Sequence, residues 1–328
     1  MEASVTTLWD TTGTAVVKAL AAERRTGGGV TSGLALTLVV VMEEKDAADV
    51  EAAISVASSR HPMRVLMILR HNIDAPVPRL DAEVSIGGRY GPGETVVLRM
   101  YGRLALHAES VTLPLLAPDA PVVAWFYSGT PDVIAHDPLG VFADRRITNV
   151  IRDADPSASL RQRAADYAPG DTDLTWTVIT PWRAALASAF DTVHVAADAV
   201  TVYGNPSDPS AQLLAGWLSS RLKIYVPVEK AEGKYISSVA ITFSDGHTID
   251  MRNDGYKLVM TRPDQMDSIA PFPPRTTGDV LAEELRRLDA DETYAEALGA
   301  VSGEGDLSDR SAVRTHIWHD PALAQQEG

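Results

Sequence analysis

Two carboxylates stand close together in the segment from Pro169 to Trp176, where Asp171 and Asp173 are separated by one residue. Carboxylates at this spacing can hold a cation or serve as an acid–base pair. They can also cap the helix that follows, because a side-chain oxygen at a helix start accepts hydrogen bonds from free backbone N–H groups. The segment therefore predicts either a small polar site or a helix cap, and the residues alone leave both interpretations open.

A second polar segment begins with His136 and Asp137 and reaches Arg145 and Arg146. It comes after an apolar run that contains Trp125 and has the composition of a buried strand. In open α/β sheets, ligands collect at the carboxyl ends of strands, and arginines there can hold a phosphate or carboxylate through forked hydrogen bonds. The alternative is structural: the arginines pair with acidic neighbours such as Asp137, which also caps a helix.

Trp176, Trp182 and Arg183 follow the paired carboxylates within a few residues. Tryptophan and arginine are the residue types that dominate the energetics of protein interfaces. Tryptophan is also a large apolar side chain that fills protein cores. These residues, together with Trp125, predict either a contact surface for a protein partner or the packing that supports such a surface.

No motif of a known catalytic or cofactor site accompanies these residues. The sequence has no glycine-rich dinucleotide fingerprint after a strand, no phosphate-loop lysine motif, no G-x-S-x-G nucleophile elbow and no H-E-x-x-H zinc motif. It also has no cysteine, which excludes disulfides, thiolate metal ligands and a thiol nucleophile. We therefore expect no catalytic residue, no cofactor and no metal.

The composition argues against nucleic acids and membranes as partners. The 328 residues are 45% hydrophobic, enough for the cores of two domains, and carry a net charge of −15. An acidic surface repels nucleic acid and anionic lipid. No apolar stretch approaches the roughly 18 residues of a membrane span, and the first residues lack a signal-peptide pattern. Together with the absence of cysteine, these features predict a cytoplasmic protein.

Strand and helix patterns alternate through the first half of the chain. Near-continuous apolar runs at 34–42, 65–69 and 122–127 have the composition of strands buried on both faces. Helical patterns separate these runs, and that alternation predicts a mainly parallel sheet. An alternating run at 80–86 predicts an edge or half-exposed strand. The fold class is therefore α/β, with an N-terminal domain over residues 1–155 that combines a mainly parallel sheet with flanking helices.

The second half of the chain predicts a C-terminal α+β domain over residues 156–302. Asp208 followed by Pro209 has the pattern of a helix start, with a cap and then the first helical residue. Three short strand patterns follow, separated by Ser-Asp-Gly and Asn-Asp-Gly turns that suit hairpins. Two helical patterns close the domain. Polar and small residues dominate residues 303–328, for which we expect a disordered tail.

Several motifs occur in one order along the chain, and together they resemble a known family. They are Trp9-Asp10-Thr11-Thr12, His61-Pro62 with Arg64-Val65, Pro121 to Trp125, Asp137-Pro138-Leu139-Gly140 with Arg145 to Thr148, Tyr167 to Leu174 continuing through Trp176 to Arg183, and Glu283 to Asp291 followed by Tyr294. The family is that of the glucose-6-phosphate dehydrogenase assembly proteins (OpcA) of actinobacteria and cyanobacteria. One departure is Val178, which stands where the family often has arginine.

The resemblance implies a function that spacing alone does not. Members of this family associate with glucose-6-phosphate dehydrogenase, the first enzyme of the oxidative pentose phosphate pathway, promote its assembly or activity, and are not known as enzymes. The chain is therefore expected to be a non-catalytic assembly factor or allosteric activator. An alternative from the residues themselves is an enzyme or sensor that binds a sugar phosphate or nucleotide, a small phosphorylated ligand, at Arg145 and Arg146. The partner-binding candidates are Trp125, Asp137, Arg145, Arg146, Asp171, Asp173, Trp176, Trp182 and Arg183.

Overall fold

The computed structural model describes residues 5–26, 33–191, 193, 195–233, 235–263 and 265–312. These residues form two compact units. The first contains the described residues up to Arg146 together with 311 and 312, and the second is Ile147–Arg310. The sequence places the domain boundary at residue 155, whereas the structure assigns residues 147–155 to the second unit.

The first unit consists of a mixed sheet and the helices that cover it. The strands are β1 (Val5–Leu8), β2 (Leu36–Met42), β3 (Met63–Arg70), β4 (Arg79–Ile86), β5 (Glu94–Tyr101), β6 (Val122–Phe126) and β7 (Arg145–Thr148), whose last two residues belong to the second unit. These strands lie in the order β1-β4-β5-β3-β2-β6-β7 along the sheet. The helices are α1 (Gly13–Thr26), α2 (Ala47–Arg60), α3 (Ala108–Thr112) and α4 (Pro138–Val141).

The centre of this sheet is parallel, as the alternation of strands and helices predicts. β2 pairs in parallel with β3 and β6, and β3 pairs in parallel with β5. All seven residues of β2 are buried, since its apolar run is covered on both faces. β4 is antiparallel to β5 and is itself covered by β1. The prediction of an edge or half-exposed strand at 80–86 is therefore wrong, because Val5–Leu8 pairs with the outer side of β4 and most residues of β4 are buried.

The second unit combines a second sheet with helices packed on one of its faces. The strands of this sheet are β9 (Ala197–Gly204), β10 (Val228–Lys230), β11 (Ser238–Phe243), β12 (Thr248–Asn253), β13 (Lys257–Thr261) and β14 (Ser268–Pro271), while the short strand β8 (Asp171–Asp173) lies outside it. The sheet has the order β10-β9-β11-β12-β13-β14 and is antiparallel except between β10 and β9. The helices are α5 (Pro156–Ala165), α6 (Leu174–Val178), α7 (Thr180–Phe190), α8 (Pro209–Leu222), α9 (Thr277–Glu284) and α10 (Glu292–Ser302).

The structure confirms the helix start and the three hairpin strands that the sequence predicts for the second unit. Asp208 caps α8 by accepting a hydrogen bond from the Ser210 N–H at 3.0 Å. The three predicted strands become β11, β12 and β13, joined by antiparallel hairpins. Their alternating residues point into a core that also contains the side chains of α8 and α10. The α+β prediction therefore holds for this unit.

The chain between residues 303 and 310 belongs to the packed second unit. Leu307 is buried in its core. The Arg310 guanidinium donates to the carbonyl oxygens of Ala164 and Ala165 at 2.8 and 3.0 Å, at the end of α5. The predicted disordered tail is thus wrong for 303–310, because buried contacts at Leu307 and Arg310 hold this segment. Residues 313–328 of that predicted tail lie outside the described residues.

Candidate functional site

Three tryptophan candidates and one arginine candidate are interior residues. Trp125, Trp176 and Trp182 expose 0%, 1% and 2% of their surface, and Arg146 exposes 0%. Burial of this degree places these side chains in the packing of the domains. They can shape a contact surface from beneath, but they do not themselves offer one.

Asp173 is the centre of a fully buried polar cluster in the second unit. Its carboxylate caps α6, accepting hydrogen bonds from the N–H and the hydroxyl of Thr175 at 2.9 and 2.5 Å. It also accepts from the hydroxyl of Thr148 at 2.6 Å and from the N–H of Val150 at 2.9 Å. Four donors satisfy this carboxylate, so the capping interpretation is confirmed for Asp173.

Asp171 has a similar local role at the other end of β8. One of its oxygens accepts the Ala168 N–H at 2.8 Å, closing the turn before the strand. Among the residues that the structure describes, no group of three histidine, aspartate or glutamate side chains is placed to hold a metal ion. Asp171 therefore stabilises the turn before β8, and Asp173 stabilises the start of α6.

Asp137 links two elements of the first unit. It caps α4 by accepting the Leu139 N–H at 2.9 Å, and it receives two hydrogen bonds from the Arg70 guanidinium at 2.8 and 3.0 Å. Such a forked pair is strong and directional. The cation that pairs with Asp137 is thus Arg70, at the end of β3, a partner that the sequence did not suggest.

Arg145 and Arg146 lie at the beginning of β7 and inside the protein. They expose 3% and 0% of their surface, and Arg146 donates to the Ala143 carbonyl at 3.1 Å. The sequence left two interpretations open for them, a strand-end grip for an anion and pairing with acidic neighbours. The structure instead puts their guanidiniums beneath the surface, where a phosphate reaches them only if the covering side chains move.

Arg183 and Trp176 form a stacked pair in the second unit. The guanidinium carbon of Arg183 lies 3.5 Å from the centre of the Trp176 ring. The indole N–H donates to Asp291 at 2.8 Å, and Asp291 also caps α10 through the Tyr294 N–H at 2.9 Å. The stack therefore joins α6, α7 and the start of α10.

The electrostatics of this pair are set by burial and by nearby acids. Burial lowers the pKa of Arg183 to about 10, against the opposing effect of the carboxylates of Asp291, Glu283 and Glu284. Arg183 is still a cation at neutral pH, and it forms its short contacts with the Trp176 ring and the Thr180 hydroxyl at 3.1 Å. A partly buried guanidinium on an aromatic face is a strong contact.

Side chains of α9 and of Arg275, just before it, make polar contacts with α6. Thr177 donates its hydroxyl to the buried carboxylate of Glu284. Arg275 donates to the Thr177 carbonyl at 3.1 Å and pairs with Glu283 at 2.5 Å. Val178, the last residue of α6, exposes 40% of its surface. The polar contacts fix α6 against α9 and leave Val178 at the surface.

The end of β2, the position where doubly wound sheets bind dinucleotides, carries polar side chains that pair with one another in this chain. The strand order puts β3 and β6 on opposite sides of β2, which makes the end of β2 a topological switch point. Glu43 and Glu44 follow β2 directly, and the Glu43 N–H donates to the Ser128 hydroxyl at 2.9 Å. Tyr127 donates to Asp49 at 3.2 Å on the facing helix α2. Glu43 pairs with Lys45 at 2.6 Å and Glu44 with Arg99 at 3.2 Å, so both carboxylates already have cationic partners.

Trp9 is not among the partner-binding candidates that the sequence suggests, although it belongs to the first family motif. Trp9 exposes 70% of its surface, more than the other tryptophans among the described residues. The signal that could have found it is its place directly after the short edge strand β1. Among the described residues, no helix combines the length and apolar character required to cross a membrane.

Two family models match successive parts of the chain. Residues 53–165 match a family model described as the N-terminal domain of the glucose-6-phosphate dehydrogenase subunit. Residues 169–298 match a second model, described as the C-terminal domain of the same subunit. The two matches lie in the expected order and cover most of both structural units. No curated protein matches the chain.

Two solved structures have a distant likeness to the chain. One is described as a probable oxidoreductase, yhhX, with 9% identity and a TM-score of 0.44, covering 84% of this chain and 98% of that chain. Another is an oxidoreductase from Sinorhizobium meliloti, with 10% identity and a TM-score of 0.39, covering 87% of this chain and 99% of that chain. At such low similarity they bear on neither substrate nor activity.

Proposed function

The chain belongs to the glucose-6-phosphate dehydrogenase assembly protein family (OpcA), and from that premise we propose that it is a non-catalytic partner that binds the dehydrogenase itself. The observation that carries the proposal is the pair of family matches over residues 53–165 and 169–298. Both are described as domains of a glucose-6-phosphate dehydrogenase subunit. The proposed setting is the cytoplasm, at the first step of the oxidative pentose phosphate pathway.

A non-catalytic partner changes an enzyme by binding one of its states better than another. The ratio of the two affinities sets how far the partner can shift the equilibrium between those states. Coupling free energies between sites are typically about 1–3 kcal/mol, or about 5- to 150-fold in affinity. Either a conformation or an oligomeric state of the dehydrogenase can be the favoured state. The proposal therefore covers assembly and allosteric activation as two results of one binding step.

Three features of the chain favour a binding role over catalysis. Asp171 and Asp173 are occupied with backbone and hydroxyl donors, so neither is poised to move a proton. Arg145 and Arg146 are buried. At the end of β2, Glu43 and Glu44 already pair with Lys45 and Arg99. Together with the two family matches, these features favour a binding role.

The candidate residues then act mainly by holding the shape of the two units. Trp125, Asp137, Arg145 and Arg146 do so in the first unit. In the second unit, Asp171, Asp173, Trp176 and Trp182 support Arg183, whose side chain is only partly covered. Arg183 and the neighbouring Val178 are exposed enough for a partner to contact them, whereas the other four residues are buried.

The proposal is tested by mixing the purified chain with native dehydrogenase at micromolar concentrations and separating the mixture by gel filtration with light scattering. We expect a peak whose mass exceeds that of the dehydrogenase alone and contains both proteins. Two separate peaks would overturn the proposal. Calorimetry with glucose 6-phosphate and NADP addresses the alternative, since heat that Arg146→Ala abolishes would favour a ligand-binding protein.

A further inference from the structure

We propose that the first unit carries a surface that contacts a partner protein and that is centred on the exposed side chain of Trp9. We call it the Trp9 surface and define it as Trp9, His71, Arg79 and Tyr101. The proposal rests on the proposed function, because it names where the dehydrogenase would bind.

The backbone on either side of Trp9 is fixed. Leu8 pairs with Ala82 in the antiparallel β1–β4 ladder. On the other side, the Asp10 N–H donates to the buried Asp81 carboxylate at 2.9 Å, and Thr11 donates to the Leu80 carbonyl at 2.8 Å. The indole is thus presented to solvent from an ordered backbone, so binding through it costs little conformational entropy.

The backbone conformation next to Trp9 is unusual. Asp10 has a φ of 46°, in the left-handed region that residues other than glycine rarely adopt. The contact with Asp81 holds it there. Since Asp81 is buried and also accepts hydrogen bonds from Arg79, this arrangement ties the position of Trp9 to that of Arg79. Backbone held in such a conformation is a recurrent feature of functional positions.

A layer of aromatic and cationic side chains continues the surface. Arg79 lies opposite Tyr101 in the β4–β5 register, with its guanidinium carbon 4.7 Å from the centre of the Tyr101 ring. The His71 ring stacks on Tyr101 at 4.7 Å with an angle of 10° between the planes. Arg79 still exposes 46% of its side chain. Tryptophan, tyrosine and arginine are the residue types of interface hot spots.

The loop between β3 and β4 adds exposed apolar side chains beside this layer. Val77 and Ile73 expose 71% and 47% of their surfaces. The Gly102 N–H donates to the Asn72 carbonyl at 2.9 Å, and a Cβ at Gly102 would lie 2.7 Å from the Ala75 carbonyl oxygen. The loop is therefore closely seated at the end of β5. Exposed apolar side chains grouped in this way mark contact sites.

The occupant we infer is the dehydrogenase and not a second copy of this chain. Two copies would each bring a net charge of −15, and their mutual repulsion opposes self-association. The family model that covers His71, Arg79 and Tyr101 is the one described as the N-terminal domain of the dehydrogenase subunit. The matching surface on the partner needs an apolar recess for an indole and a carboxylate or carbonyl group to accept from Arg79.

The test uses biolayer interferometry to compare the affinities of three variants and of the unmodified chain for native dehydrogenase. Trp9→Ala should weaken binding at least about tenfold, as removal of a hot-spot side chain does, while Trp9→Phe should retain most of it. Tyr225→Ala is the matched control, because Tyr225 is an aromatic residue of the second unit with 85% exposure. It should bind like the unmodified chain.

The outcomes separate this proposal from the proposed function. A complex that Trp9→Ala leaves within about twofold of the unmodified affinity would overturn the Trp9 surface alone. Absence of any complex with the unmodified chain would overturn both. Because the chain has no cysteine, Val77→Cys carrying a maleimide photocrosslinker gives an independent readout. It should crosslink to the dehydrogenase, and Tyr225→Cys should not; the reverse pattern would place the contact elsewhere.

Discussion

The guanidinium of Arg183 lies over the ring of Trp176 at 3.5 Å, and the same indole donates its N–H to Asp291 at 2.8 Å. One tryptophan therefore contacts a cation through its face and an anion through its edge. The two charges are kept apart by the ring that binds both. This arrangement joins three helices of the second unit and keeps the Arg183 side chain near the surface.

Removing the guanidinium from this stack should destabilise the second unit. Arg183→Ala loses the cation–π contact and leaves one face of Trp176 uncovered, which we expect to lower the free energy of unfolding by about 1–2 kcal/mol. Arg183→Lys keeps the charge but loses the planar stack. Its free energy of unfolding should therefore lie between those of Arg183→Ala and the unmodified chain. Urea unfolding followed by circular dichroism measures the series. An alanine variant within about 0.5 kcal/mol of the unmodified chain would show that the stack contributes little.

Replacing Asp173 by asparagine should lower the free energy of unfolding by more than Arg183→Ala does. Four donors converge on this buried carboxylate, and an amide presents an N–H₂ group to some of them. We expect a loss of about 2–4 kcal/mol in urea unfolding, since buried donors lose a charged acceptor. The control is Asp155→Asn at the exposed start of α5, where asparagine caps equally well. Equal effects of the two variants would contradict the role assigned to Asp173.

Glycine is required at position 140 because the chain passes too close for a side chain. A Cβ there would lie 2.1 Å from the Ile134 carbonyl oxygen. Gly140→Ala should therefore destabilise the first unit by about 2 kcal/mol or more in thermal and urea unfolding. In contrast, a Cβ at Gly13 would meet Val111 at an ordinary 3.7 Å, so Gly13→Ala should be neutral or slightly stabilising. A harmless Gly140→Ala would show that the Ile134 segment shifts easily.

Acid should weaken the first unit through Glu94. Burial alone would raise the pKa of this carboxyl, but hydrogen bonds and charges from Arg24 and Arg64 outweigh it and hold the pKa below the usual value. A depressed pKa stabilises the fold above the unfolded-state pKa of about 4.3, and this contribution is lost as pH falls through the folded-state value.

Glu94→Gln removes that titration and supplies the comparison. At neutral pH the variant should be less stable than the unmodified chain in urea unfolding, because Arg24 and Arg64 lose their anion. The difference should shrink as the pH is lowered below about 4. A difference that stays constant with pH would mean that Glu94 does not account for acid sensitivity.

The parts of the fold that the sequence predicts are those set by local patterns. The apolar runs at 34–42 and 122–127 become β2 and β6, because strands buried on both faces need β-branched and apolar residues throughout. Asp137 and Asp208 cap helices where a carboxylate precedes proline. Each of these features is decided within about ten residues of chain, which is why pattern and spacing identify them.

The site depends on contacts that no local pattern contains. The partner of the Trp176 indole, Asp291, is 115 residues away in sequence, and Asp137 pairs with Arg70 from 67 residues away. Burial is equally non-local: Trp9 and Trp176 are the same residue type, yet one exposes 70% of its surface and the other 1%. A tryptophan in a family motif therefore indicates importance without indicating which face meets a partner.

The most direct test of the account is a kinetic titration of native glucose-6-phosphate dehydrogenase with this chain, following NADPH formation at fixed substrate concentrations. Binding should produce a saturable change in kcat or KM that levels off at a fixed ratio of the two proteins, and the chain alone should show no turnover. A rate that stays flat up to micromolar chain, or NADPH formation without the dehydrogenase, would contradict it.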